Sequence, residues 1–330
     1  MRKEKVIVIG GGPCGMSAAI ELQERGFDPL ILERGNIVHS IYRYPTHQQF
    51  FSTSEKLSIG GIPFYSTERK PKRNEALVYY RKVAEEKKLR INSYEEVKSV
   101  TKNEKFLVET VKRGETNIYE ADYIVVATGY YDSPNTLGVP GESQPHVFHY
   151  FHEAHPYYGQ KVAIIGGKNS AVDAALELEK AGAEVSVFYR GEEYSKSIKP
   201  WILPEFQSLA KNGYINLIFN ADITNIGTDT LTYEVDGKSY KETADFVFAM
   251  VGYHPDHTFI QSMGVSIDHL SGRPEFKENM ETNVPNIYIA GVIAAGNNAN
   301  EIFIENGRWH GVDIAEDILM KEKMSSPVEK

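Results

Sequence analysis

The chain alternates short apolar runs with amphipathic stretches in a way that predicts strand–turn–helix units. Val6-Ile-Val-Ile9 is an apolar run bounded by glycine, and Met16 to Arg25 has helical spacing and stops at Gly26. Leu30-Ile-Leu-Glu33 follows as a second strand. Asn36 to Gly61 is a long polar and aromatic connection, and Lys72 to Lys88 reads as an amphipathic helix. Ile91 to Tyr119 alternates with period two, as a small inserted antiparallel sheet does. Tyr123-Ile-Val-Val-Ala-Thr-Gly129 is a buried strand, and the turn-rich stretch to Pro140-Gly141 marks a hinge. The same pattern restarts at Val162-Ala-Ile-Ile165, continues through Glu184-Val-Ser-Val-Phe-Tyr-Arg190 and reaches a buried strand at Phe246 to Gly252. A last strand in Thr282 to Gly291 and a closing helix over Asn300 to Leu319 complete it.

Glycines punctuate both restarts. In Gly10-Gly-Gly-Pro-Cys-Gly15, three glycines at the spacing of a dinucleotide turn (Gly10, Gly12, Gly15) supply the tight bend, the close approach to a pyrophosphate, and close helix–strand packing. Glu33, about 20 residues on, ends the second strand with an acid able to accept from a ribose hydroxyl. The second turn, Gly166-Gly-Lys-Asn-Ser-Ala171, has Lys168 at the second glycine position and Ala171 at the third. Either its loop stands further from the phosphates or Lys168 contacts them. The following strand ends in Arg190 where an acid is usual, and a guanidinium can take a 2′-phosphate as a bidentate fork, which selects NADPH over NADH. Lys196 and Lys199 either add charge there or are solvated surface lysines. The fold class expected is α/β, with two Rossmann-like dinucleotide-binding domains, the second inserted into the first: residues 1–128 with 251–330, and 129–250.

Composition narrows the function classes. The 330 residues are 41 % hydrophobic, enough for two cores at about 150 residues per domain. A formal net charge of −9 argues against nucleic acid or an anionic membrane as partner, and no apolar run approaches the roughly 20 residues that span a bilayer. Met1-Arg-Lys-Glu-Lys5 runs straight into the first strand and leaves no room for a signal peptide, so the expectation is a cytoplasmic protein. Symmetry statistics add the expectation of a homo-oligomer, a dimer or higher.

Cys14 is the single cysteine, so no intramolecular disulfide and no Cys-x-x-Cys pair can form. It lies at a helix start, where N–H groups and the dipole favour a thiolate; the alternative is a small residue filling a slot. Long loops in compact domains are commonly functional, which places a flavin ring edge near Tyr42, Thr46, His47 and Gln48. No histidine spacing matches a metal site, and of the histidines only His47 is a functional candidate. Trp201 is expected in the core, with stacking near nicotinamide or substrate as the alternative.

Together GGGPCG, ATG, GGKNSA, GYHP and NVPNIYIAG resemble the two-dinucleotide flavoproteins of the thioredoxin reductase type along almost the whole chain. Within them Cys14, Tyr44-Pro-Thr-His47, Gly166-Gly-Lys-Asn-Ser170, Lys199-Pro-Trp-Ile202 and Glu301-Ile-Phe-Ile-Glu-Asn-Gly307 are similar to the bacillithiol disulfide reductase family. The resemblance implies FAD held at Gly10, Gly12, Pro13, Cys14, Gly15, Glu33, Arg34, Thr128, Gly129, Gly291, Val292 and Ile302. It implies NADPH at Gly166, Gly167, Lys168, Asn169, Ser170, Arg190 and Lys196. The implied activity is NADPH-dependent reduction of a low-molecular-weight disulfide, with Cys14 attacking bacillithiol disulfide and the inserted domain rotating about Gly129 and Gly252.

The chain departs from that pattern twice. It lacks the dithiol of thioredoxin reductases, which excludes reduction of thioredoxin by dithiol exchange. Its last strand ends in Gly291-Val292 rather than Gly-Asp, which moves the ribityl hydrogen bond to backbone groups or to Asn297, Asn298 and Asn300. Two other readings use the same parts. One is a ferredoxin or flavodoxin NADP reductase, with Lys70 to Arg73 as a basic patch; the other is a flavin-holding redox sensor built on Cys14.

Overall fold

A computed structural model describes residues 1–298 and 300–325. The chain divides into two compact units: Met1–Ser133 joined by the chain from Tyr253 onward, and Pro134–Gly252.

The first unit starts with β1 (Arg2–Ile9), α1 (Pro13–Glu24) and β2 (Leu30–Glu33), then two one-turn helices, α2 (His39–Tyr42) and α3 (Ser54–Leu57). It continues through α4 (Arg73–Glu86), β3 (Arg90–Ser93), β4 (Glu95–Lys102), β5 (Phe106–Lys112) and β6 (Glu115–Val126). The second unit holds β7 (Val147–Phe148), β8 (Lys161–Ile165), α5 (Asn169–Lys180), β9 (Glu184–Phe188), α6 (Leu203–Lys211), β10 (Ile215–Ile218), β11 (Asp222–Ile226), β12 (Thr230–Val235), β13 (Lys238–Thr243) and β14 (Phe246–Ala249). The chain then returns to the first unit with α7 (His257–Ser262), β15 (Ile287–Ile289), α8 (Ile304–Gly307) and α9 (His310–Ser325).

In the first unit the strands run β3-β2-β1-β6-β5-β4, with β15 also paired to β6. β1, β2, β3, β6 and β15 are parallel, so their carboxyl ends share one edge, and β4 and β5 fold back as antiparallel hairpin strands. The alternating stretch is therefore no separate sheet. β3 extends the parallel sheet, and the 12-residue β6 begins in the hairpin and ends beside β1, so one strand serves both. Val6 to Ile9, Ile31, Leu32 and Ile124 to Val126 are buried, as strands covered on both faces must be.

The closing helix is shorter and broken. Residues 300–303 are non-helical, α8 makes one turn, and α9 starts at His310. The Phe303 N–H donates to Asn306 Oδ1 at 2.7 Å and caps the short turn, which defeats the helical spacing of the apolar residues around it. α9 lies on α1 so closely that a methyl group at Gly311 would come within 2.6 Å of Ala18 Cα.

In the second unit the main sheet is ordered β10-β9-β8-β14-β7 and all parallel, beside a three-stranded antiparallel sheet β11-β12-β13. β9 stops at Phe188, so Tyr189 and Arg190 lie beyond its end rather than in it. The apolar face of α5 (Ala171, Val172, Ala174, Ala175, Leu178) packs on this sheet with Ile164 and Val187. Trp201 departs from the expectation of burial: it is 52 % exposed.

A charge network fastens α9 to β15. Lys321 Nζ lies 3.0 Å from Asp317, donates to Tyr288 Oη at 2.7 Å and pairs with the buried Glu281; Tyr288 donates to Asp317 at 2.5 Å. Burial alone would raise both carboxyls, but hydrogen bonds outweigh it, from Lys321, the Asn286 N–H and Lys277 at Glu281 and from Tyr288 and Lys321 at Asp317, and hold both below the usual carboxylate range. Groups depressed in this way stabilise the fold above their unfolded pKa values near 4, and that support is lost as pH falls through the lower folded values. Lys321→Met is expected to cost about 3 kcal/mol at pH 7 and to flatten the acid limb of stability below about pH 5, read by thermal denaturation across pH.

Candidate functional site

The first glycine turn joins β1 to α1 at the carboxyl edge of the sheet. The Gly10 N–H donates to the Leu32 carbonyl at 2.9 Å, and Gly10 has φ +110, a conformation that L side chains rarely adopt. A methyl group at Gly10 would lie 2.5 Å from the Ala127 carbonyl oxygen, and one at Gly15 would lie 2.1 Å from the Gly10 carbonyl oxygen. Space beside Gly12 is open, with nothing within 4 Å of a methyl placed there. Two glycines thus permit packing and the third leaves a cradle.

Pro13 occupies the first turn of α1, and no side chain caps the helix at Gly12. The N–H groups there face the cradle as an anion site. Glu33 is buried, with its oxygens accepting from Gly11 N–H and Gly35 N–H at 2.7 Å each, and each oxygen keeps a lone pair for a hydroxyl. The residues present fit a dinucleotide pyrophosphate with its ribose at Glu33.

Cys14 keeps some exposed surface, but its sulfur is enclosed by the opposite wall. A methyl group at Gly291 or at Gly307 would lie 3.1 Å from Cys14 Sγ, and Ser17 Oγ donates to the Arg308 carbonyl at 2.8 Å. The loop after β15 and α8 therefore close on the start of α1 through two glycines. Burial pushes the Cys14 thiol up to about 12. This corrects the thiolate expectation, because taking the anion out of water outweighs the roughly half-charge of a helix N-terminus. His310, which accepts from the Gly291 N–H at 3.2 Å, is held below the usual imidazole range by its own burial.

Strand ends bring Gly129, Thr128 and Val292 together. Val292 Cγ1 lies 4.0 Å from a methyl built on Gly129, and Ile302 packs against the core beside Gly307. Asn298 and Asn300 serve the local loop: Asn298 Nδ2 donates to Glu301 at 3.2 Å and the Asn300 N–H donates to Asn298 at 3.3 Å. Asn297 covers Gly272, where a methyl would meet its amide at 2.6 Å.

Tyr42 and Thr46 are exposed, while His47 and Gln48 are half-buried. Arg73 on α4 staples the loop, donating through Nε to the Tyr42 carbonyl at 3.1 Å and through its backbone N–H to the Gln48 carbonyl at 2.8 Å. Tyr44, quoted only as part of a motif, is the residue that turns inward. It meets Phe50 at 6.2 Å and Tyr131 edge-on at 5.0 Å, and burial, Tyr130, Tyr253, Asp132 and Cys14 all raise its phenol pKa.

Asp132 carried no sequence signal beyond standing shortly after Ala-Thr-Gly. Its carboxylate pairs with Arg34 and, at 2.5 Å, with Arg43 Nη1. Arg34 thereby meets a protein carboxylate as well as any nucleotide.

The second turn repeats the first at the end of β8. The Gly166 N–H donates to the Phe188 carbonyl at 2.9 Å, Gly166 has φ +140, and a methyl there would lie 2.5 Å from the Met250 carbonyl oxygen. Gly167 faces the ring of Tyr189, missed in sequence, which a methyl would meet at 2.3 Å. Lys168 and Ser170 are exposed, and no side chain caps α5. Asn169 is a loop staple: Nδ2 donates to the Ser197 carbonyl at 2.9 Å and Oδ1 accepts from the Lys199 N–H at 2.8 Å. That brings the loop carrying Lys196 to the start of α5. Lys168, Arg190 and Lys196 are all exposed at the carboxyl edge of this sheet, and none has an ion pair among the described residues. The donor set fits a phosphorylated dinucleotide.

A family model described as pyridine nucleotide-disulphide oxidoreductase matches residues 7–291. A bacilliredoxin reductase, Bdr, of Bacillus subtilis (strain 168) is 57 % identical over 326 residues, covering 98 % of this chain and 99 % of that protein. The solved bacillithiol disulfide reductase Bdr from Bacillus cereus is 60 % identical with a TM-score of 0.96, covering 97 % of this chain and all of that one, 100 %. The thioredoxin reductase of T. acidophilum shares the fold at 24 % identity, with a TM-score of 0.77 over 98 % of this chain and 100 % of that one. Two nucleotide turns of one construction and this near full-length identity agree: the chain belongs to the pyridine nucleotide-disulphide oxidoreductases and, within them, to the family of the bacillithiol disulfide reductases.

Proposed function

We propose that this protein reduces bacillithiol disulfide with electrons from NADPH passed through FAD, the flavin held at the Gly10 turn and NADPH at the Gly166 turn. The observation that carries this reading is the duplicated turn, each with its first glycine donating to the next strand at 2.9 Å. When bound, the two cofactors supply hydride transfer from nicotinamide to flavin; the protein supplies alignment and exclusion of water.

The first turn takes the pyrophosphate on its N–H groups and in the space beside Gly12, and Glu33 accepts from a ribose hydroxyl. Lys168, Arg190 and Lys196 would receive the 2′-phosphate, Arg190 first among them. Cys14, as a thiolate, attacks one sulfur of the disulfide, expelling one bacillithiol thiolate and forming a mixed disulfide. With both cofactors bound, two electrons from them and one proton would cleave that bond, releasing the second bacillithiol as a thiol and returning Cys14 to its thiolate. Because the enclosed thiol holds its proton, deprotonation precedes attack.

The test of the whole reading is an anaerobic absorption titration. NADPH is expected to bleach a yellow protein, and bacillithiol disulfide to restore the colour; bleaching that persists with the disulfide but recovers with ferredoxin favours the ferredoxin reductase reading. Cys14→Ala is expected to keep FAD and lose disulfide turnover, and turnover at the wild-type rate would remove Cys14 from the chemistry. Below about 12 the thiolate fraction rises tenfold per pH unit, so kcat/KM for the disulfide is expected to climb between about pH 7 and 9. Arg190→Ala is expected to raise KM for NADPH about tenfold and leave KM for NADH unchanged, measured by initial rates with both nucleotides.

A further inference from the structure

We propose that Asp132, with Arg34 and Arg43, forms a clasp across the mouth of the first nucleotide cradle that governs how long FAD is retained; the proposal rests on the assignment of FAD to the Gly10 turn. The topology supplies the span. β1 lies between β2 and β6 with all three carboxyl ends at one edge. Arg34 directly follows β2 and Asp132 stands six residues after β6. Their ion pair therefore joins the two flanking strand ends past the end of β1, where the glycine turn sits.

The two ends of the clasp are held in place independently. On one side Glu33 bonds the N–H groups of Gly11 and Gly35, which fixes the backbone on both sides of Arg34. On the other, the Arg43 guanidinium lies 2.5 Å from the second carboxylate oxygen of Asp132 and 5.9 Å over the Tyr131 ring, and Tyr131 Oη donates to the Arg43 carbonyl at 3.4 Å. The Asp132 carboxylate is only 17 % exposed and answers two guanidinium groups, one at each end of the 34–43 segment.

The bridge would close over a nucleotide whose phosphates lay on the β1 turn and whose ribose lay at Glu33, and release would then require the bridge to open. The clasp thus acts on release, as a positioning device, and takes no part in electron transfer.

The experiment follows the return of free-FAD fluorescence after dilution of the flavin-loaded protein, in wild type and in Asp132→Asn, Asp132→Glu, Arg34→Gln and Arg43→Gln. At low salt Asp132→Asn is expected to release FAD about fivefold faster than wild type, as loss of a partly exposed ion-pair network implies, and Asp132→Glu to restore slow release. Wild-type release is expected to accelerate between about 10 mM and about 1 M salt, as screening shortens from ~30 Å to ~3 Å, and the Asn variant to respond little. Arg34, 48 % exposed, reports on the same bridge from a position where substitution leaves the fold intact. Wild-type release rates in Asp132→Asn and Arg34→Gln, or wild-type release that ignores salt, overturn the clasp. A wild-type protein that takes up no FAD at all overturns the flavin assignment beneath it.

Discussion

The structure of the first unit depends on backbone meeting backbone at the β1–α1 turn with no side chain between. A methyl at Gly15 would stand 2.1 Å from the Gly10 carbonyl oxygen, and one at Gly10 would stand 2.5 Å from that of Ala127. That approach sets the start of α1 against the sheet edge. It aims the uncapped N–H groups at the space beside Gly12 and brings Gly11 within reach of Glu33. The second unit meets the same constraint at Gly166, whose N–H and φ repeat those of Gly10. It relaxes the constraint over the next two residues, where the Tyr189 ring covers Gly167 and the exposed Lys168 follows.

The same turn places Cys14 under conflicting demands. The helix start favours an anion, but the sulfur lies against Gly291 and Gly307, where water cannot solvate a thiolate. Packing and reactivity thus share one atom. The enclosure comes from the last part of the chain, since α8 and the loop after β15 form the opposite wall, and Ser17 bonds Arg308 to hold it. This chain holds no second cysteine, so the proton on this sulfur is what the chemistry proposed at Cys14 would have to control.

Charge is distributed by function rather than by overall balance. The chain is acidic, at −9, yet Lys168, Arg190 and Lys196, none in an ion pair among the described residues, stand exposed at the carboxyl edge of the second sheet. In the first unit the arginines near the cradle are committed to Asp132, and Lys321 is committed to Glu281 and Asp317 beneath α9. The first pattern suits an incoming phosphate; the second suits holding elements together.

Sequence by itself determined the local units. Apolar runs of strand length, glycines at fixed offsets and the acid at Glu33 identified β1, α1, β2, β8 and α5, because strand burial and turn conformation are properties of a few adjacent residues. The single cysteine excluded a dithiol in the same direct way. Tertiary structure decided whatever depends on residues far apart in the chain. It merged the alternating stretch into the parallel sheet through the long β6, broke the closing helix where α8 turns against Cys14, and exposed Trp201. It also turned Asn169 into a staple and joined Asp132 to Arg34 and Arg43. The protonation of Cys14 belongs to this second class, because desolvation is imposed by neighbours nearly three hundred residues away, Gly291 and Gly307, and no pattern around position 14 encodes them.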